Sequence, residues 1–267
     1  MEVFELGEGT PDIAVVGAIH GDEPSGARAV ERLVSDDLDL ERPVKLIIAN
    51  EEALEAEQRY LDEDLNRAFP GDPDADSHEG RLAHRLKSEL TGCTTLALHS
   101  TQSYAEPFAV VDTMDEVARG VCPHLPVDIV IQTDLFTEGR LIEHPHTIEV
   151  EAGLQGSEAA ADNAYWLSRA FLTATGALPA PGNDDVVDAG GRDDVDVFRL
   201  EDRIPKPRAT DYEVFAHNFE RVEEGETFAR ADDDELVADE DFYPVLLSAY
   251  GYEEQFGYVA EKVGSLA

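Results

Sequence analysis

The stretch "IAVVGAIHGDEPSG", residues 13–26, joins a predicted buried strand to a predicted helix and places His20 and Glu23 in the turn between them. The apolar, largely β-branched first half is typical of a strand buried on both faces of a sheet. The glycines allow the turn to bend tightly. Because α/β proteins bind ligands beyond the carboxyl ends of their strands, we expect this turn to lie at a functional site.

The first two-thirds of the chain repeat this alternation of short apolar runs and amphipathic stretches. Such alternation predicts an α/β fold with a mainly parallel, mixed sheet flanked by helices. Helices are predicted from Ser25 to Leu33, around residues 80–90 and from Ala159 to Ala174. The other predicted strands are "VKLIIA", "TTLALHS", "PFAVVD", "VDIVIQT" and "TIEVEAG".

The last third has a different character. A stretch rich in Pro, Gly and Asp, "PAPGNDDVVDAGGRDDVD", resembles a linker or an exposed loop. The short segments beyond it have turn residues between them and little helical period, which favours β structure. We therefore predict an α/β domain over residues 1–180 and a smaller β-rich C-terminal domain over residues 181–267.

The chain is strongly acidic, with 59 Asp and Glu against 20 Lys and Arg and a net charge of -39 at pH 7. Such a surface repels nucleic acid and anionic membranes, so neither is an expected partner. Dispersed acidic residues and only four lysines suggest a halophile, since near-molar salt shortens the Debye length to about 3 Å. Two cysteines, no recognisable leader and no long apolar segment favour a cytoplasmic protein.

His20 and Glu23 could bind one cation together, although Glu23 could equally be a charge at a helix N-terminus. A catalytic zinc takes three protein ligands, for example two His and one Glu, and leaves a fourth place for water. His99 in "LALHST" is the best candidate for the second histidine, because it ends another predicted buried strand. For the other six histidines, solvated or packing roles are favoured: His78, His84, His124, His144, His146 and His217. Of these, His144 and His146, which flank a proline, are also candidates for lining the mouth of the site.

A third motif, "RYLDEDLNRAFPG", begins at Arg59 and contains several side chains with planar hydrogen-bond donor groups, although the chain as a whole is rich in acidic residues. Arg59, Asn66 and Arg67 could receive a small anionic substrate, because arginine binds carboxylates through two parallel hydrogen bonds. Either arginine could instead pair with Asp62 or Asp64.

Four segments in this order, "HGDE", "RYLDEDLNRAFPG", "LHST" and "IEVEAG", resemble the succinylglutamate desuccinylase and aspartoacylase family. The stretch "DFYPVLLSAYGYEEQF" also resembles the tyrosine-bearing C-terminal part of aspartoacylases. The match is poorest from residue 184 to residue 241. The resemblance implies a zinc-carboxypeptidase-like fold and an enzyme that hydrolyses the amide bond of an N-acyl amino acid. It makes a homo-oligomer plausible.

The resemblance also implies roles for individual residues. One Zn²⁺ per chain would be held by His20, Glu23 and His99. Arg59 would polarise the scissile carbonyl and hold the developing oxyanion. The α-carboxylate of the substrate would bind Asn66 and Arg67, and Tyr252 would reach into the pocket from the C-terminal part.

The resemblance further implies that a glutamate near the end of a late strand is the general base, and "TIEVEAG" offers two candidates. Glu151 is favoured, because Gly153 follows it and allows the chain to turn at the end of the strand, beside the pocket. Glu149 is the alternative and fits an alignment on Pro145. Residues two apart on a strand face the same side, so both could point toward the metal.

Whichever of Glu149 and Glu151 is not the base would leave a second carboxylate in the pocket, and this carboxylate could select a substrate with a positively charged amine. Two other functions remain open on the sequence alone. One is a metallocarboxypeptidase that acts on peptide C-termini, and the other is a non-catalytic zinc-binding protein of the same fold.

Overall fold

The computed structural model describes residues 1–134, 136, 139–180 and 195–266. In this part of the chain, no helix is both long and apolar enough to cross a membrane.

The strand, turn and helix around His20 form as predicted. Strand β2, Ile13–Gly17, is buried along its whole length. Helix α1, Pro24–Ser35, begins with a proline, which favours the first turn of a helix. A Cβ on Gly17 would lie 2.4 Å from the carbonyl carbon of Gly26, so only glycine lets the helix approach the strand end this closely. This packing fixes the turn that carries His20.

The predicted α/β fold with a mainly parallel, mixed sheet is confirmed. The strands are β1 Glu2–Leu6, β2 Ile13–Gly17, β3 Val44–Ile48, β4 Thr94–Thr101, β5 Phe108–Val111, β6 Ile129–Gln132, β7 Thr147–Leu154, β8 Val195–Pro205, β9 Tyr212–Val214, β10 Thr227–Ala231, β11 Asp234–Val237, β12 Tyr243–Val245 and β13 Gln255–Leu266. Ten of them form one sheet in the order β1-β3-β2-β4-β7-β5-β6-β8-β13-β12. Strands β3, β2, β4 and β7 run parallel to their neighbours in this series, as do β5, β6 and β8.

Helices cover both faces of the sheet. On one face, α1 packs with α4 (Glu116–Val121) and α5 (Glu158–Ala174) over a large apolar core, and on the other face α3 (His78–Leu90) covers a second core. Ser77 and Ser157 cap α3 and α5 by accepting a hydrogen bond from a backbone N–H in the first turn. Helix α2 spans Glu51–Glu55.

The C-terminal part is rich in β structure, as predicted. Strands β9, β10 and β11 form a separate three-stranded sheet over a small apolar core, to which Ile204 of β8 and Phe256 of β13 also contribute. Strands β8, β13 and β12, in contrast, extend the main sheet through the parallel pairing of β8 with β6. Most of the predicted linker, residues 181–194, lies outside the described residues, and the division into domains at residue 180 stays a prediction.

Candidate active site

The site lies where three neighbouring parallel strands, β2, β4 and β7, end at the same edge of the sheet. The turn after β2 carries His20 and Glu23, and the last part of β4 carries His99. In β7, Glu151 is the register partner of His99, and Glu149 is the partner of Ala97. The topology therefore brings together residues that are far apart in the sequence.

Glu23 lies between the two histidines. Its Oε1 is 2.7 Å from Nδ1 of His20, and its Oε2 is 3.2 Å from Nδ1 of His99. One potential ligand atom from each of the three residues lies within 4.8 Å of the others, and all three residues are buried. The backbone N–H of Ser100 donates to the same Oε2, at 3.0 Å, which fixes the carboxylate.

This donor set fits a divalent cation. Both histidines turn Nδ1 toward the shared carboxylate, and each has a second carboxylate near its Nε2: Asp64 at 3.1 Å from His20, and Glu149 at 4.0 Å from His99. A metal-binding histidine commonly has this arrangement, with one ring nitrogen on the metal and the other facing a carboxylate. Two His and one Glu are also the ligands of a known class of catalytic zinc sites.

The electrostatics of the cluster also favour added positive charge. Burial lowers the pKa of His99, but its hydrogen bond with Glu23 and the charge of Glu149 outweigh burial and raise the pKa to about 9. Burial would raise the pKa of Glu23, but the charge and hydrogen bonds of His20 and His99 hold it well below its usual range. The surrounding carboxylates would therefore stabilise a cation in this position.

Arg59 reaches the cluster directly. Its guanidinium donates to Oε1 of Glu23 at 3.1 Å and to Oδ2 of Asp64 at 3.2 Å. One of its nitrogens also lies 3.0 Å from Nε2 of His20, which can accept from Arg59 or donate to Asp64 according to its tautomer. Of the two aspartates considered as partners from the sequence, Asp64 pairs with Arg59.

Asp64 is a site residue for which the sequence predicted no role at the metal. Although burial opposes this, the hydrogen bond to His20 holds the pKa of Asp64 well below its usual range. Its side chain also accepts from the backbone N–H of Asn66, at 2.8 Å, and so begins the short 3-10 helix Leu65–Arg67. The same carboxylate thus orients a metal-ligand candidate and the anion-binding candidates.

Asn66 and Arg67 lie beside an arginine that the sequence analysis missed. Oδ1 of Asn66 accepts from the backbone N–H of Leu141, at 2.8 Å, which anchors the segment that carries Arg140. Gly139, next to Arg140, packs against the backbone of Arg67, and its carbonyl oxygen accepts from the backbone N–H of Phe69 at 3.0 Å. Burial lowers the pKa of Arg67, and the positive charge of Arg140 lowers it further. Arg140 donates to the hydroxyl of Tyr258 at 3.1 Å. An isolated basic residue before "LIEHP" was the only sequence signal for it.

Both candidate bases point toward the cluster. Burial, followed by the charge of Glu23, raises the pKa of Glu151 to about 7. Oε2 of Glu151 and Oε1 of Glu149 are buried with no hydrogen-bond partner among the described residues. Glu149 also acts electrostatically on Arg140. The structure therefore places both glutamates in the pocket.

Tyr252 approaches the same pocket from the segment before β13. Burial raises its pKa, and the next contributions are from Tyr258 and Glu151. Arg140 and Arg59 act on it in the opposite sense. The ring of Tyr252 meets that of Tyr258 edge-on, with the centroids 6.4 Å apart, and Tyr258 accepts a hydrogen bond from Arg140.

The histidines considered for the mouth of the site do not reach it. His144 and His146 precede β7, at the opposite end of the strand from Glu151. They line a small separate cavity of about 80 Å³. The expectation for the mouth is wrong because β7 runs its full length between these histidines and the pocket.

This arrangement of site residues falls largely within a segment shared with known enzymes. Residues 9–137 match the family model of the succinylglutamate desuccinylase/aspartoacylase catalytic domain. The matched range contains the three metal-ligand candidates, Arg59, Asn66 and Arg67, whereas Glu149, Glu151 and Tyr252 lie beyond it.

Similar proteins cover more of the chain. An "N-acyl-aromatic-L-amino acid amidohydrolase (carboxylate-forming) B" from Danio rerio is 25% identical over 224 residues, which are 73% of this chain and 71% of that protein. A succinylglutamate desuccinylase/aspartoacylase structure from Rhodobacter sphaeroides superimposes with a TM-score of 0.77 at 18% identity, over 97% of this chain and 88% of the other. Murine aminoacylase 3 superimposes with a TM-score of 0.72 at 23% identity, over 97% of each chain. These structures share the fold.

Proposed function

We propose that this chain is a zinc-dependent amidohydrolase of the succinylglutamate desuccinylase and aspartoacylase family that releases the amino acid from an N-acyl amino acid. The observation that carries the proposal is the convergence of His20, Glu23 and His99 at one sheet edge, within reach of Arg59. The family match over residues 9–137 supports it. The Danio rerio relative, named as an N-acyl-aromatic-L-amino acid amidohydrolase, supports N-acyl amino acids as the substrate class.

His20, Glu23 and His99 would hold one Zn²⁺ per chain. When bound, zinc supplies Lewis-acid chemistry that acidifies water and polarises a carbonyl. Glu151 takes the proton from the attacking water and returns it to the leaving amine. Glu149 has its Oε1 near Nε2 of His99 and is suited to orienting that ring, which leaves Glu151 as the proposed base. Glu149 remains the alternative base.

The arginines bind different negatively charged groups of the reacting substrate. Arg59, beside the metal ligands, stabilises the oxyanion that develops on the scissile carbonyl. Arg67 and the amide nitrogen of Asn66 bind the α-carboxylate, because Oδ1 of Asn66 is already occupied by the backbone of Leu141. Arg140 adds a second guanidinium beside Arg67, and the phenol of Tyr252 closes the pocket on the C-terminal side.

Replacement of Arg59 by glutamine should lower kcat/KM by about 100- to 1,000-fold, because a charged donor to the oxyanion is lost. Zinc content should be measured on the same samples, since Arg59 also contacts Glu23. Arg85→Gln, on the exposed side of α3, is the matched control and should keep full activity. An active Arg59→Gln enzyme with normal zinc content would contradict the assigned role.

The reaction itself is tested with a panel of N-acyl amino acids and short peptides, assayed for release of a free amine. We expect turnover of N-acyl amino acids and little turnover of peptides. High salt is the appropriate condition, because a net charge of -39 suggests a halophilic origin. Turnover of peptides alone would indicate a carboxypeptidase, and zinc binding without any turnover would indicate a non-catalytic protein.

The panel also tests the predicted preference for a cationic amine. With one glutamate acting as base, the second carboxylate in the pocket should favour an N-acetyl lysine-like series over an N-acetyl aspartate-like series. A charge interaction of about 1.4 kcal/mol corresponds to a tenfold ratio of kcat/KM. Equal values for the two series, or a preference for the aspartate-like compounds, would exclude this selection.

A further inference from the structure

Lys206, just after β8, is held by aromatic rings. Its Nζ lies 4.2 Å from the ring centroid of Tyr212, 5.6 Å from that of Tyr250 and 5.7 Å from that of Phe256. Lys45 and Lys262 each pair with a carboxylate, whereas none of the described carboxylates lies within ion-pair distance of Lys206. In a chain with 59 acidic residues, this environment is unusual for a lysine.

The ammonium group is bonded to the backbone of the pocket tyrosine. Nζ of Lys206 donates to the carbonyl oxygen of Tyr252 at 2.8 Å. The backbone N–H of Lys206 donates to the carbonyl oxygen of Glu254 at 3.1 Å. One lysine therefore fixes the chain at two points, on either side of residue 253.

The aromatic rings in turn fix the lysine. The cation lies over the face of Tyr212, an arrangement that cation–π attraction favours. Tyr250, two residues before Tyr252, donates from its hydroxyl to Asp211 at 3.0 Å. The segment on which Tyr252 is carried is thereby tied to the chain around residues 206–212.

The ring of Tyr252 meets the ring of Tyr258 edge-on, with the centroids 6.4 Å apart. The hydroxyl of Tyr258 in turn accepts a hydrogen bond from Arg140 at 3.1 Å. The charges of Glu151, Arg140 and Arg59 also act on the phenol of Tyr252. A shift of the backbone at residue 252 would move the phenol relative to the arginines and Glu151.

We infer that Lys206 is a positioning residue, which holds the phenol of Tyr252 against the substrate by fixing the backbone carbonyl of that tyrosine. The inference rests on the proposed function, in which Tyr252 contacts the substrate. Lys206 itself touches neither the substrate nor the metal ligands. Its effect on the reaction passes through Tyr252.

The kinetic test compares Lys206→Met with Lys206→Arg and Tyr252→Phe in the full chain. Methionine keeps an apolar stem among the rings and removes the cation and the donor. We expect Lys206→Met to lower kcat/KM by about 10- to 100-fold, mainly through a higher KM, because a small misplacement of a binding group has an effect of this order. Lys206→Arg keeps both the charge and a donor, and should recover most of the loss. The double variant with Tyr252→Phe should be no worse than the poorer single variant, since both changes act on one contact.

Lys262→Met is the matched control, because Lys262, on the exposed part of β13, pairs with Asp196 of β8. It should leave kcat/KM within twofold of the unmodified enzyme. Lys206→Met with unchanged kcat/KM, or with a loss that adds fully to that of Tyr252→Phe, would overturn the inference.

Hydrogen exchange provides a readout that does not require activity. In Lys206→Met, the amides of residues 248–255 should exchange faster, while those of β10 and β11 should not change. Unchanged exchange over residues 248–255 would overturn the inference even if activity fell. If the unmodified protein hydrolyses no N-acyl amino acid, the proposed function fails, and the exchange experiment still decides whether Lys206 fixes this segment.

Discussion

Glu151→Gln should retain zinc and lose activity, with kcat reduced by about 100- to 10,000-fold, the range typical for loss of a general base. The side chain is half-buried in register with His99, and its Oε2 is buried with no hydrogen-bond partner among the described residues. Glutamine preserves the volume and the polarity of the side chain and removes only the proton acceptor. Zinc content by elemental analysis and kcat at saturating substrate check the two halves of the expectation.

Glu149→Gln is the matched control, because it makes the same chemical change two residues away on the same face of β7. If Glu149 orients His99 through Nε2, which lies 4.0 Å from its Oε1, its loss should cost about 10- to 100-fold in metal affinity or activity. A large loss of kcat in Glu149→Gln together with an active Glu151→Gln would transfer the role of base to Glu149.

Much of the fold could be predicted from the sequence because its signals are local. The apolar run before Gly17 and the alternation of strands with helices each depend on residues close in the chain. The metal-ligand candidates could also be predicted from the sequence, because His20 follows one buried strand and His99 ends another. The ends of parallel strands meet at one edge of the sheet.

The contribution of Asp64 and Arg140 could not be predicted in the same way. Asp64 meets His20 across 44 residues, and one aspartate among many in an acidic chain carries no distinguishing signal. Arg140 comes beside Arg67 only because Asn66 binds the backbone of Leu141, a contact across 75 residues. Such contacts depend on how loops pack, which neither periodicity nor spacing encodes. The two glutamates of β7 stay undecided for a similar reason, since a strand turns both to the same face.

Removal of the metal should abolish turnover, and His99→Ala should have the same effect. The imidazole of His99 supplies one of three ligand candidates within 4.8 Å of one another, so its loss leaves two. Two ligands do not complete a catalytic zinc site, which takes three from the protein. We expect about one zinc per chain in the unmodified protein, and zinc affinity at least about 100-fold lower in His99→Ala, beyond the effect of losing a residue that only orients a ligand.

Thermal unfolding tests the same site without reference to activity. A ligand that binds only the folded state stabilises it by mass action, by about 2.7 kcal/mol at a free concentration 100 times Kd. After the metal has been removed with a chelator, added zinc should therefore raise the midpoint temperature of unfolding of the unmodified protein. It should have little effect on the midpoint of His99→Ala. His217→Ala, an exposed histidine of the C-terminal part, is the control and should respond as the unmodified protein does. An equal zinc response in His99→Ala would show that the ion binds elsewhere, and the catalytic role proposed for the cluster of His20, Glu23 and His99 would then be wrong.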